Sequence, residues 1–169
     1  MIPVSQKKLR ETQFFLGHLE RERRKTVRNE PEAFLFYLSA FLSAARAVTW
    51  TLKKEEKARY EAWFPVWLSG RSQEDRWLLN LMVEQRNAVQ KEGKAETRQE
   101  WEYLSIFEVE PEEGGQFQFF GPPDCPPPRV GRPVHRFESG DEEVTAACRR
   151  HLELLRILVA DFIKAHPRG

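Results

Sequence analysis

The chain is poor in the residues that usually hold metals or disulfides. Its 169 residues include only two cysteines, Cys125 and Cys148, and four histidines. Two cysteines are too few for a disulfide framework and are typical of a protein in a reducing cytosol. Neither cysteine has a second ligand at the short spacing of a zinc site, and the histidines are scattered. The sequence therefore predicts no metal site and no cofactor.

The chain also lacks a strong charge of either sign and a secretory leader. Its 27 basic and 26 acidic residues leave a formal net charge of +1, unlike a general nucleic-acid coat protein, although a local basic site remains possible. Residues 1–8 contain no apolar core of the kind a signal peptide needs. We also expect no stretch long and uncharged enough to cross a bilayer. These absences predict a cytoplasmic protein with no membrane segment.

Apolar residues at helical spacing are abundant. The composition, 40% hydrophobic and 31% charged, is typical of a helix-rich globular domain, and this length suffices for one buried core. The periodicity predicts five helices, at about 5–27, 30–53, 55–68, 73–92 and 141–166. The second is apolar around most of its circumference, so we expect it to be central and packed on several sides.

Local signals predict where several of these helices begin and end. Asn29 is a candidate cap for the second helix, with Pro31 in its first turn. Pro65 is expected to kink or end the third helix. Ser72 is expected to cap the fourth helix, and Gly93 to stop it.

The character of the chain changes between the fourth and the last helix. Residues 96–103 are compatible with continued helix, whereas 105–110 and 116–120 alternate like strands around Gly114-Gly115, a hairpin signal. Residues 134–138 are compatible with a third short strand, and 121–133 form a proline-rich loop. The sequence thus predicts a mainly α, up-and-down bundle of about five helices in one domain over 1–169. A partly β insertion is expected at about 104–138.

An Arg-Asn pair near the end of the fourth helix is the first candidate site. Arg86 and Asn87 follow Met82 and Val83 by four residues each, so both project from a helix rich in buried positions. The rigid fork of donors on arginine suits phosphate oxygens, and a neutral amide can orient that fork. The alternative is structural, with Arg86 paired to a carboxylate at the edge of the core. The residues alone leave both interpretations open.

Other basic residues are also candidates for binding an anion. Arg46 interrupts the apolar second helix and needs a carboxylate or an anionic ligand as its partner. If the second and fourth helices are antiparallel neighbours, Arg46 and Arg86 face one polar pocket. A basic cluster at the end of the first helix either complements the helix dipole in a solvated face or contacts phosphate; it comprises Arg21, Arg23, Arg24, Lys25 and Arg28.

The four main helices, the second-helix sequence FLSAARAV and the later Arg-Asn pair resemble the HEPN superfamily of bacterial proteins, over roughly 12–93. The resemblance implies an all-α bundle that forms a homodimer in which two motifs meet in a cleft. Many members are metal-independent ribonucleases of toxin–antitoxin, abortive-infection or CRISPR-linked systems. Others bind nucleotides or RNA, or act as scaffolds.

The family motif is an arginine, a polar residue, a few further residues and a histidine. Arg86 and Asn87 match its first part, whereas Lys91 stands where the histidine is expected; His151 on the last helix is another candidate to reach the site. Lysine can hold phosphate, but it does not exchange a proton near neutral pH as imidazole does. The resemblance therefore implies binding of RNA or a nucleotide with weakened or absent endoribonuclease activity.

In this interpretation Arg86 and Asn87 occupy the catalytic positions, and Lys91 and Arg46 contact phosphate. An antitoxin or another protein is the implied partner. The alternative function is a non-catalytic interaction or scaffold module, in which Trp63, Phe64 and Trp67 of the third helix and the proline-rich loop contact a protein. The same aromatic residues are equally typical of a core.

Overall fold

The computed structural model describes residues 2–26, 30, 32–109, 121–122 and 125–167. Within these residues the chain forms five α-helices, α1 (Pro3–Arg24), α2 (Ala33–Glu55), α3 (Lys57–Ser69), α4 (Gln73–Glu92) and α5 (Val144–Ala165). Two strands, β1 (Thr97–Ser105) and β2 (Arg129–Phe137), form an antiparallel sheet between α4 and α5. The predicted helical bundle with a small β insertion is confirmed.

Helix α2 is the central helix, as its apolar pattern predicts. It contacts each of the other four helices, and Phe34, Leu38 and Phe41 on it are completely buried. Its length and composition also suffice to cross a membrane, so the prediction that no stretch would meet this criterion is wrong. The central helix of a bundle passes the same test because it too needs apolar side chains around most of its circumference.

The predicted ends of α4 are confirmed. The Ser72 hydroxyl accepts a hydrogen bond from the Asp75 amide at 3.1 Å, and Gly93 closes the helix in the left-handed conformation at φ 79°. Pro65 does not end α3, which continues to Ser69. Pro65 lacks the amide that would otherwise donate to the backbone carbonyl of Glu61, one turn earlier. Both residues are exposed, so water can donate to that carbonyl instead.

Asn29 and Pro31, the predicted cap and first-turn residues of the second helix, lie outside the described residues. Helix α2 itself begins at Ala33, and its N-cap Glu32 makes no side-chain capping hydrogen bond. The assignment of the cap therefore stays a prediction.

Of the strand predictions, the one at 134–138 is confirmed over 134–137, which belong to β2, whereas the one at 105–110 is wrong. Residues 96–103 do not continue the helix but supply most of β1, while Ile106–Glu108, predicted as strand, form a 3₁₀ turn. The amide of Ser105 donates to Glu108 Oε2 at 2.7 Å, which favours this turn locally. Strand β2 begins inside the predicted loop because Arg129 pairs with Ser105 across the sheet. Residues 116–120, the other half of the predicted hairpin, lie outside the described residues.

The sheet is docked onto the bundle through β2. This strand contacts α1 and α5, Phe137 is completely buried, and the His135 ring stacks on Phe34 with centroids 4.1 Å apart. On the other side, the buried Gln85 accepts a hydrogen bond from the Glu96 amide at 2.8 Å through its Oε1. The C-terminal end of α4 is therefore held to the start of β1.

Candidate functional site

The C-terminal half of α4 displays the predicted Arg-Asn pair. Arg86 is half-buried, and its Nη1 donates to Asn87 Oδ1 at 3.4 Å. Its Nε is buried without a hydrogen-bond partner, and no carboxylate in the described part of the chain pairs with the guanidinium. The structural alternative requires a carboxylate that pairs with Arg86 at the edge of the core, and none of these residues provides one.

Asn87 and Lys91 extend the same part of the helix into solvent. Both are exposed, and they lie one turn apart on α4. We call Arg86, Asn87 and Lys91 together the α4 polar surface; it carries two positive charges, with the exposed carboxylates of Glu84 and Glu92 beside it on the helix. A surface of this kind can bind an extended anion such as a phosphate backbone, but it does not enclose a substrate.

Arg46 is not part of the α4 polar surface. It is exposed on α2, where its Nη1 donates to Thr49 Oγ1 at 3.1 Å. It lines a cavity to which α4 contributes Asn80, Val83 and two neighbouring residues, but not Arg86. Arg46 and Arg86 were expected to face one pocket if their helices were antiparallel neighbours. The structure does not bring them together in this cavity.

Arg23 and Lys25 of the basic cluster at the end of α1 form ion pairs with carboxylates, Lys25 with Glu22 at 2.8 Å. A second cavity of about 380 Å³ lies there, beside Arg23 and Arg149. Arg23 contacts Glu102 at 3.1 Å and Glu143 at 3.4 Å, and Arg149 contacts Glu20 at 2.7 Å. These ion pairs favour the structural interpretation of the cluster over phosphate binding. Arg28 lies outside the described residues.

A further arginine, Arg132 of β2, shares the Glu102 carboxylate with Arg23. Its Nε donates to Glu102 Oε2 at 2.8 Å. This hydrogen bond holds the pKa of the Glu102 carboxyl below its usual value, with partial burial acting in the opposite direction. The carboxylate is therefore ionised at neutral pH and neutralises part of the positive charge of the two arginines.

The aromatic residues of α3 pack against α5 instead of forming a free surface. Trp67 is buried, and its indole Nε1 donates to Asp161 Oδ2 at 2.9 Å. The Trp63 ring lies edge-on to Phe162 with centroids 5.3 Å apart. These contacts account for the aromatic residues as core, so they add no support to a protein-binding role for α3.

Sequence reasoning missed the cavity that Arg46 lines, between α2, α3, α4 and α5. His151 lies in its wall, is only 6% exposed, and has a buried Nδ1 with no hydrogen-bond partner within the described residues. Burial lowers the pKa of His151 to about 4, so the ring is neutral at pH 7. The only signal in the sequence was a histidine on the buried stripe of the last helix, next to Leu152.

No three potential metal ligands of the His, Cys, Asp or Glu type gather anywhere in the described ranges. Cys148 is buried in α5 and Cys125 is exposed. Burial raises the pKa of the Cys148 thiol well above its usual value, so this side chain behaves as an apolar core residue.

Comparison with known proteins finds no family model, no curated protein and no solved structure that matches the chain.

Proposed function

We propose that the protein binds RNA through the α4 polar surface, as a homodimer in which the two surfaces face a common cleft. The observation that carries the proposal is the Arg86 guanidinium, which has no acidic partner in the described part of the chain and only a 3.4 Å contact with Asn87. A half-buried cation with an unsatisfied donor is costly. An anionic ligand would remove that cost.

The chemistry of the three side chains suits phosphate. Rotation of the Arg86 side chain toward solvent would let Nε and Nη2 donate together to two oxygens of one phosphate. Asn87 restrains the guanidinium through Nη1, and Lys91, one turn further on, adds a second positive charge. The net charge of the chain is only +1, so this local surface, and not the protein as a whole, would attract the RNA.

The same residues support binding better than cleavage. All four histidines are among the described residues, and none contacts Arg86; His151 lies in the cavity wall and His135 stacks on Phe34. Lys91, which stands at the position of the motif histidine, is a poor substitute for an imidazole in general acid–base catalysis. We therefore propose an RNA-binding protein with weak or absent ribonuclease activity.

The substitution Arg86→Ala is expected to lower the affinity for a single-stranded RNA oligonucleotide about tenfold, because it removes a phosphate contact. It should also reduce the slope of log affinity against log salt by about one. Both are measured by fluorescence anisotropy between about 50 and 200 mM salt. Circular dichroism should show unchanged helicity, since the side chain is only half-buried.

The matched control is Arg156→Ala, which changes the net charge equally. Arg156 lies on α5, where it donates to Gln13 Oε1 at 2.9 Å and pairs with Glu153. Its loss should leave RNA affinity nearly unchanged. Equal effects of the two variants, or an affinity of the parent protein that does not respond to salt, would refute the proposal. A protein partner retained after nuclease treatment would then favour the scaffold alternative.

A further inference from the structure

A cavity of about 360 Å³ lies between α2, α3, α4 and α5. Most of its wall is apolar, with Leu79 and Met82 from α4 and Leu155 and Leu158 from α5. Protein interiors are close-packed and contain few voids larger than a water molecule. A volume in this range, lined mainly by aliphatic side chains with a few polar groups, is typical of a small-molecule site.

The polar groups of the wall include one cation that lacks a counter-ion. Lys53 is paired with Glu61 at 2.9 Å. Arg46 has only the neutral Thr49 hydroxyl as a hydrogen-bond partner and no carboxylate within salt-bridge distance in the described ranges. The cavity wall therefore carries one uncompensated positive charge.

The Tyr60 hydroxyl adds a donor near Arg46. Tyr60 is buried in the cavity wall, and its hydroxyl makes no hydrogen bond to any described residue. Burial raises the pKa of Tyr60 to about 12, and the nearby Arg46 charge acts in the opposite direction. The hydroxyl consequently keeps its proton at neutral pH and is free to donate it to an anion.

His151 is a third polar group in this wall without a partner. Its side chain is more than nine-tenths buried, and no described residue bonds its Nδ1. Buried polar atoms in native proteins are nearly always hydrogen-bonded to protein, ordered water or a ligand. The ring is neutral at pH 7, so it adds no charge to the cavity wall.

We propose that this cavity binds an aliphatic monocarboxylate of medium chain length. The carboxylate would accept hydrogen bonds from Arg46 and the Tyr60 hydroxyl, and the alkyl chain would lie against the leucines and Met82. A single uncompensated guanidinium balances one negative charge, which matches a monocarboxylate better than a dianionic phosphate. The apolar wall favours an alkyl chain by burial of apolar surface.

The test is calorimetric titration of decanoate, below its micelle concentration, into the full chain. Saturable binding of one decanoate per chain is expected. Arg46→Gln should weaken it at least tenfold, because a charge-assisted hydrogen bond is lost. Tyr60→Phe, which removes only the hydroxyl, should weaken it several-fold. Decanol, which has the same chain without the charge, should bind more weakly than decanoate and equally well to the parent protein and to Arg46→Gln.

A cavity-filling variant tests the location of the alkyl chain. Ala45 is a buried, small residue of the wall, and Ala45→Leu should abolish decanoate binding. Because a larger residue there can also disturb folding, Val83→Trp at the partly exposed rim serves as a second blocking variant. Its thermal unfolding should remain cooperative while decanoate no longer binds.

The control Arg86→Gln should leave decanoate affinity unchanged, so this proposal and the RNA proposal can fail separately. Absence of saturable decanoate binding, or equal binding of decanoate by the parent protein and Arg46→Gln, would overturn the inference. So would a sedimentation experiment in which Val83→Trp converts a dimer to a monomer and decanoate binds neither form. That result would assign the cavity to an interface between two copies.

Discussion

Acidification from about pH 7 to about pH 4 should lower the free energy of unfolding by about 3 kcal/mol through His151 alone. Burial holds the pKa of this ring at about 4 in the folded chain, against 6.5 for the ordinary group. As the pH falls below 6.5, the unfolded state takes up a proton that the folded state cannot. The stability associated with a neutral His151 is therefore complete above that pH and is lost progressively down to about pH 4.

Urea unfolding at a series of pH values measures this effect. The variant His151→Leu should lose this part of the pH dependence, and at pH 7 it should be at least as stable as the parent protein, because an apolar side chain replaces an unpaired polar ring. All carboxylates are common to both proteins, so the difference between the two curves isolates the histidine. Identical pH profiles for the parent and variant would contradict the assignment.

A second histidine provides the control for that comparison. His18 lies half-buried on α1, with its ring stacked on Tyr37 at a centroid distance of 4.5 Å. The variant His18→Gln removes one imidazole from the chain but leaves the buried one in place. It should retain the acid-side loss of stability shown by the parent protein.

The substitution Gly140→Ala should destabilise the protein by about 2 kcal/mol. Gly140 occupies the turn between β2 and α5 with φ 99°, a conformation that residues with a Cβ rarely adopt. A Cβ there would also lie 2.6 Å from Cζ2 of Trp77 on α4. Backbone strain and displacement of the indole both oppose the change, and urea unfolding at pH 7 measures their sum.

A double-mutant cycle with Trp77→Leu separates the two causes. If the clash with the indole contributes, Gly140→Ala should lower the free energy of unfolding by less in the Trp77→Leu background, because only the backbone strain then remains. Gly17→Ala is the matched control, since a Cβ at this exposed position in α1 meets no atom within 4 Å. It should stabilise the helix by about 0.5–1 kcal/mol. A Gly140→Ala protein as stable as the parent would show that the turn tolerates an L-residue.

Features encoded by neighbouring residues were predictable. Helix α4 begins and ends where Ser72 and Gly93 indicate, because an N-cap hydroxyl and a left-handed glycine act within one turn of the chain. The central position of α2 followed from its apolar circumference, which only burial on several sides can satisfy. The position of Arg86 and Asn87 near the end of α4 was likewise predictable from helical spacing.

Features that depend on distant pairing were not predictable in the same way. The residues of β1 were compatible with helix in the sequence because the strand that pairs with them is distant along the chain. Strand β2 begins at Arg129, 32 residues after β1 begins at Thr97. Pro133 in β2 stands opposite Trp101, in a stretch whose prolines alone indicated a loop. Strand pairing overrides such local preferences because ladder hydrogen bonds and the burial of Phe137 stabilise the sheet as a unit.

By itself, the sequence determined the helical class, the central helix and the position of Arg86 and Lys91 near the end of α4, since these depend on periodicity and on caps within one turn. Only the tertiary structure decided that Arg46 and Arg86 do not share a cavity and that His151 and Tyr60 lie in the same cavity wall as Arg46. That wall is assembled from four helices, and their packing depends on the shapes of side chains far apart in the chain. No local pattern records such an arrangement.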